Sequence, residues 1–355
     1  MLLSLIGCGK PASTDTTTTT EAAVTEAPAA SISDAATTAD STPADASEEG
    51  SDAQTVYPVT VTDQAGREVT IEKEPESIVS GYYISTSLLL ALGLKDKVTG
   101  IEAKADKRPI YKLAAPEFLE LPNVGTAKEF DLETCASLSP ELVILPMKLK
   151  DAAQSLSELD IPVLLVNPES EDQLEQMIEL VSTATNTKEN ADALLSYIDE
   201  KKEMLEKDLS GGDAESVYLA GNSSLLSTAG PAMYQSGLIE LAGGKNAASE
   251  ITDTYWAEIS YEQLLAWDPS YIILASDAEY TPEDVLNDEN LKECTAVKNG
   301  NVYAIPGDIE ALDSPVPGGI LASIWLAGIL HPDQVSADMY TEERAAFYET
   351  FYGIK

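Results

Sequence analysis

From residue 57 onward the apolar positions follow two alternating rhythms. Val59-Thr60-Val61-Thr62 alternates apolar with polar, Asp63-Gln64-Ala65-Gly66 reads as a turn, and Val69-Thr70-Ile71 returns. That pattern predicts a small β-hairpin. Short apolar runs then recur at 77–80, 98–101, 142–145 and 163–166, each read as a strand. Helical spacing fills the gaps. Ser85 or Thr86 is the expected cap of an apolar helix reaching Leu92 and stopped by Gly93, residues 132–138 form a second helix, and a third ends at 156–159. Strand and helix alternate, so the sheet is expected to be mostly parallel with right-handed crossovers.

Residues 171–209 carry no strand pattern. Leu174, Met177, Ile178 and Val181 repeat at helical spacing, and after a break near Asn186 so do Ala191, Leu194, Leu195, Ile198 and Leu205. A short helix and then a long one are expected, stopped by Gly211-Gly212. The α/β rhythm restarts with strands at 217–220, 271–274 and 302–305, and helices at 234–241, 261–265, 320–330 and 342–351. The fold class expected is therefore α/β: two Rossmann-like lobes with mostly parallel sheets joined by one long α-helix. The lobes would span 57–170 and 212–355, with a helical linker at 171–211.

The chain has 355 residues and a formal net charge of -40. So acidic a balance excludes general nucleic-acid binding, which needs basic stripes to neutralise phosphates. It favours a soluble monomer. The cysteines are Cys8, Cys135 and Cys294, with no spacing that suggests a zinc or redox pair. Cys135 and Cys294 are expected to be small buried hydrophobes. Residues 9–56 are dominated by Thr, Ala, Ser, Asp, Glu and Pro, a composition that cannot bury enough apolar surface to offset chain entropy. A disordered tether is expected there. Residues 1–8 end in Leu5-Ile6-Gly7-Cys8, which resembles the lipobox of bacterial lipoproteins. The apolar run is short and has no basic flank, so it reads as the end of a truncated signal peptide. The resemblance implies a diacylglycerol on Cys8 and an anchor on the outer face of a bacterial cell membrane.

Several local patterns, in order, carry a second resemblance. They are Asp131-Leu132-Glu133 followed by Leu138-Ser139-Pro140-Glu141-Leu142-Val143-Ile144, then Trp256 to Leu264 followed by Asp268-Pro269-Ser270-Tyr271-Ile272-Ile273. Asp313-Ser314-Pro315 before an apolar helix and Leu330-His331-Pro332 complete them. From about Tyr57 to the C-terminus the chain resembles the solute-binding proteins of the ferric-siderophore and cobalamin import class. The resemblance implies an ABC permease dimer with its ATPase as partner and no cofactor. It also implies that Glu133 and Glu262, one per lobe, dock on permease arginines, a pairing that suits bidentate carboxylate–guanidinium geometry. Trp256 matches a cleft tryptophan of the cobalamin-binding member. That member has a further tryptophan where Ala127 stands here and an arginine near Ala311 or Leu312, which puts cobalamin in doubt.

Ligands of open α/β sheets sit beyond the carboxyl ends of the strands. The loops there offer Tyr82, Tyr83 and Trp256 as aromatic candidates and Lys104, Lys107, Arg108, Lys112, Lys128, Lys148 and Lys150 as a basic group in an acidic chain. The ligand-binding set expected is Tyr82, Tyr83, Lys104, Arg108, Lys128, Lys148 and Trp256. A local positive patch suggests an anionic cargo such as a ferric-siderophore chelate, and Arg108 alone offers a planar fork for chelate oxygens. Cobalamin, another corrinoid or haem is the alternative cargo; a stand-alone surface chelate scavenger is the alternative class. The single histidine, His331, reads as a helix-end residue, so no His-based metal set is expected. An enzyme is not expected: neither a phosphate-binding Gly-rich loop nor a nucleophile elbow is present. A single long linking helix should permit only modest closure of the lobes.

Overall fold

The computed structural model describes residues 54–211, 214–252 and 254–355. The hairpin is present, β1 (Val59–Thr62) pairing antiparallel with β2 (Glu68–Ile71). Buried Asp63 holds its turn. The carboxylate accepts from the N–H groups of Ala65 and Arg67, pairs with the Arg67 guanidinium at 2.6 Å, and takes the N–H of Leu165 at 3.0 Å. One side chain therefore closes the turn and ties the hairpin to the first sheet.

That sheet contains β3 (Ile78–Ser80), β4 (Val98–Gly100), β5 (Leu142–Pro146) and β6 (Val163–Val166), all parallel, in the order β4-β3-β5-β6. Its connections carry α1 (Tyr83–Ala91), α2 (Pro109–Ala114), α3 (Leu132–Ser137) and α4 (Lys150–Ser157). Next come α5 (Glu171–Thr185) and α6 (Lys188–Asp208), separated at Asn186, whose left-handed backbone (φ 58°) ends α5. The second sheet contains β7 (Glu215–Ala220), β9 (Gly244–Asn246), β11 (Tyr271–Leu274) and β12 (Val302–Ala304) in the order β12-β11-β7-β9, again all parallel. It is connected through α7 (Tyr234–Leu241), α8 (Tyr261–Trp267), α9 (Pro282–Leu286) and α10 (Thr295–Asn299). A short antiparallel ribbon joins β8 (Ser227–Ala229) to β10 (Trp256–Glu258). The chain ends in α11 (Ile320–Leu330) and α12 (Ala337–Tyr352).

The expected α/β class is what the chain adopts, and its strands explain themselves. Parallel strands covered on both faces read as unbroken apolar runs. Successive residues point to opposite faces, so Ile78, Leu142, Ile144, Val217, Leu219 and Ile273 enter one central apolar cluster. Val79, Val143 and Leu145 pack outward under α3 and α4, and Tyr218, Ala220 and Ile272 pack outward under α8, α9 and α10. The central cluster takes residues from both sheets and from α1, α5, α6, α7, α11 and α12. The two sheets are thus held by shared packing as well as by the helical connection.

Several local expectations need correction. Neither Ser85 nor Thr86 caps α1; the cap position is Tyr82, which makes no side-chain cap bond. Both hydroxyls lie inside the first turn and bond back to the Tyr82 carbonyl, at 2.8 Å and 3.2 Å, a local use of Ser and Thr that mimics a cap in sequence. Tyr83 is the first residue of α1 and not a loop residue, and Lys112 lies on α2, whose Pro109 start was the missed signal. Trp256 begins β10 instead of lying in a loop. The sequence gives no sign of β8, β9 and β10 because Ser227-Thr228-Ala229, Gly244-Lys245-Asn246 and Trp256-Ala257-Glu258 form no apolar run.

Candidate functional site

The carboxyl ends of the two sheets meet around Arg108. This residue sits in extended backbone at the start of α2, and its guanidinium lies 3.9 Å from the centroid of the Tyr83 ring. From there it reaches the Asp277 carboxylate, in the segment after β11, at 3.8 Å. The Tyr83 hydroxyl is within 2.9 Å of Ser314 Oγ, and Tyr82 packs edge-on against Tyr83 with centroids 5.4 Å apart. Two residues beyond Arg108, the N–H of Ile110 donates to the Ile309 carbonyl at 3.0 Å. First-sheet and second-sheet segments therefore touch through a stacked cation, an ion pair and a backbone bond. Between them remains a cavity of about 20 Å³, lined among others by Tyr83, Ser87, Arg108, Tyr111, Asp277 and Glu310.

Three buried carboxylates surround this contact. Glu102 accepts from Thr86 Oγ1 at 2.7 Å and from the Tyr111 hydroxyl at 2.6 Å. Burial raises its carboxyl above the usual range, while those donors and the Arg108 charge oppose the rise. Glu310, 5% exposed, accepts from Ser87 Oγ and from the Tyr348 hydroxyl; burial pushes it up to about 7. Asp313 accepts from the Ser276 N–H at 3.2 Å and from its hydroxyl, and burial raises it too. The sequence points to the cations and aromatics of the strand-end loops and gives no sign of these acids. In a chain with 61 Asp and Glu, one more acid gives no local sign of being buried.

The structure brings Tyr82, Tyr83 and Arg108 together and leaves the other expected ligand residues apart. Lys104 (φ 68°) is exposed just after β4, Lys128 is exposed in the turn Thr126–Glu129, and Lys148 is exposed just after β5. Among the described residues none of the three has a carboxylate partner within 4.0 Å, and none lines the Arg108 cavity. Trp256 is 41% exposed and packs on Gly221, where an added Cβ would come 3.1 Å from the indole. The Tyr280 hydroxyl donates to the Gly221 carbonyl at 2.7 Å, which steadies that platform.

Glu133 and Glu262 are both exposed, and each is the second residue of a short helix. The cap before Glu133 is Asp131, accepting from Thr134 N–H at 2.8 Å; the cap before Glu262 is Ser260, accepting from Gln263 N–H at 3.2 Å. The two segments align without a gap, Glu133 with Glu262, Pro140 with Pro269, Ile144 with Ile273 and Leu145 with Leu274. Even the left-handed residues before the prolines agree, Ser139 at φ 50° and Asp268 at φ 43°. Cys8 and the tether lie outside the described residues, apart from residues 54–56. Cys135 and Cys294 are buried free thiols. His331 caps the end of α11 with Nε2 3.1 Å from the Gly243 carbonyl. Among the described residues no three His, Cys, Asp or Glu side chains group as a metal site, and no helix is long and apolar enough to cross a membrane.

Comparison with known proteins bears on the family and the fold. The profile of the periplasmic binding protein family matches residues 78–309. An uncharacterised ABC transporter substrate-binding lipoprotein of Bacillus subtilis is 28% identical over 273 residues, covering 73% of this chain and 82% of its own. A molybdate-binding protein of Haemophilus influenzae is 24% identical over 323 residues, covering 82% and 91%. A periplasmic solute-binding protein of Veillonella parvula superposes with a TM-score of 0.74 at 26% identity, over 84% of this chain and 93% of the other.

Proposed function

The chain belongs to the periplasmic binding protein family and acts outside the cytoplasm as the solute-binding part of an ABC importer; from that premise we propose that its cargo is an anionic, oxygen-rich metal chelate of the ferric-siderophore kind. One observation carries the reading: among the described residues Arg108, the cation stacked on Tyr83 at the junction of the two sheets, has only the loosely paired, half-exposed Asp277 as its ion-pair partner at 3.8 Å. A guanidinium so placed offers a planar fork to chelate oxygens. Lys104, Lys128 and Lys148 extend the positive charge over neighbouring loops at the carboxyl ends of the first sheet and steer an anion inward. Tyr82 and Trp256 supply aromatic surface from opposite sheets.

A bare oxyanion is the second reading. It is favoured by the small size of the Arg108 cavity and by the molybdate-binding relative, which matches over most of both chains. Delivery would use Glu133 and Glu262, whose equivalent exposed places in the two repeats suit a two-point dock on permease arginines. Cys8 would carry the lipid anchor.

The purified protein titrated with a ferric tris-catecholate, with molybdate and with cobalamin, read by tryptophan fluorescence with Trp256→Phe as the control, tests the cargo. Saturable binding of an anionic probe, weakened at least tenfold by Arg108→Ala, is the expected result. Tight binding of cobalamin that ignores Arg108→Ala would overturn it.

A further inference from the structure

Glu310 belongs to the segment after β12, yet it is fastened to elements from both ends of the chain. Its carboxylate accepts from Ser87 on α1 and from the Tyr348 hydroxyl on α12 at 3.2 Å, and Ser87 Oγ lies 2.9 Å from the Tyr352 hydroxyl. It lines the same small cavity as Arg108, and its neighbour Ile309 accepts the Ile110 backbone bond that joins the two sheets' segments.

The charges around it are few. From the segment 102–111 come Arg108, Lys107 and, behind Tyr111, the Glu102 carboxylate. Lys107 is 76% exposed and already lies 3.7 Å from Asp106, so Arg108 is the effective positive charge. Asp277 faces the cavity from the second sheet and Tyr83 from α1, while from α12 the Tyr348 hydroxyl bonds Glu310 and the Tyr352 hydroxyl lies against Ser87. The Asp308–Arg344 pair lies nearer the surface. A buried carboxylate survives in its charged form only where a cation and donors compensate for lost water. An anion seated on Arg108 takes up that compensation and adds a like charge beside Glu310.

We propose that Glu310 takes up a proton when an anion binds at Arg108, so that cargo capture and protonation of the inter-sheet contact are coupled. The proton comes from solvent and stays on a Glu310 oxygen; no other bond changes. The coupling rests on Arg108 as the anion site and adds a function to it. It falls in a useful range because burial has already lifted this carboxyl to about 7. Glu102 is a poorer candidate, since two short donor bonds hold its charge and it does not line the cavity. The sign is determined: above neutral pH the empty protein holds Glu310 ionised, so binding must bring a proton and weakens as pH rises.

The test is calorimetry with molybdate, which carries no proton between pH 6 and 9, in buffers of differing ionisation heat. The intact protein should take up a fraction of a proton at pH 7 and approach one near pH 8.5. Affinity should fall by up to tenfold per pH unit above pH 7.5 and level off below 6.5. Glu310→Gln should bind with little pH dependence. Tyr348→Phe, which removes a donor to the ionised form, should keep the dependence and move its midpoint upward. Binding that Arg108→Ala weakens but that takes up no proton would overturn the coupling alone. Failure of molybdate and of a ferric tris-catecholate to bind, or indifference to Arg108→Ala, would overturn both the coupling and the anion reading.

Discussion

The two sheets share one plan and divide the chemistry. Both have the same strand order, with the first strand of each at the second position from one edge, and both present a capped short helix, a proline and a buried strand in matching register. At their carboxyl ends they differ. The first sheet's segments carry Arg108 and the exposed Lys104, Lys128 and Lys148; the second sheet's segments carry Asp277, buried Glu310 and Asp313, and the exposed Trp256. The likeness lies in the exposed short helices that carry Glu133 and Glu262. The difference lies around Arg108, where segments of the two sheets touch. A repeated backbone needs only a repeated apolar pattern, whereas an electrically polarised cleft needs side chains that are not repeated.

If the likeness serves docking, removing it should have the largest effect. Glu133→Ala with Glu262→Ala should reduce import in a reconstituted transporter to background while leaving cargo affinity unchanged, and each single change should fall between. Unaltered import by the double variant would break that side of the comparison.

A pair of glycines sharpens the difference between the two cleft rims. In the first half, Gly125 has φ 86° and an added Cβ would lie 2.1 Å from the Glu129 carbonyl oxygen, a rigid backbone atom. Gly125→Ala should cost about 3 kcal/mol or more and lower Tm by roughly 5–10 °C. In the second half Gly221 has no left-handed φ, and an added Cβ would lie 3.1 Å from the Trp256 side chain and 3.3 Å from Ser227 Cβ and its carbonyl oxygen, contacts that a shift of a few tenths of an ångström relieves. Gly221→Ala should change stability by less than about 1 kcal/mol while altering Trp256 fluorescence.

The acids of the second half should also be visible in stability. Glu310 is raised from an ordinary 4.5 to about 7, so folding takes up a proton between those values. Its stabilising contribution is complete below about 4.5 and is lost as pH rises to about 7, a loss on the order of 3 kcal/mol. Urea unfolding at pH 5 and pH 8 should show this decline, and Glu310→Gln should remove much of it, making the variant the more stable protein at pH 8. An equal decline in both would refute the assignment.

Smaller effects separate the cations of the first half from the aromatic platform of the second. Arg108→Ala should weaken an anionic probe by about 2 kcal/mol, as for loss of a charged hydrogen-bond donor. Replacing Lys104, Lys128 and Lys148 together should mainly slow association and flatten its salt dependence. Trp256→Ala should cost about 1 kcal/mol of affinity.

Much of the frame was legible because it is written locally. Ile272-Ile273-Leu274 can be read as a strand without knowing its neighbours, and the helix Tyr234–Leu241 was legible to both ends from its apolar spacing and the Gly243 stop. The candidate site was legible only in part. Arg108 and Tyr83 stood out as the rare cation and the aromatic of loops at the right strand ends. Their stacking, the Ser314 and Asp277 contacts and the role of Glu310 join residues far apart in the chain, and no local pattern records them.

The amino-acid order alone settled the α/β class and the alternation of strands and helices, because apolar period and turn residues act over a few residues at a time. Tertiary structure alone decided that the two sheets share one apolar cluster and that Glu310 is sealed against α1 and α12 beside Arg108. Burial and the field of a distant charge depend on which surfaces meet in three dimensions, and that is what turns an ordinary acid among many into one that titrates near neutrality.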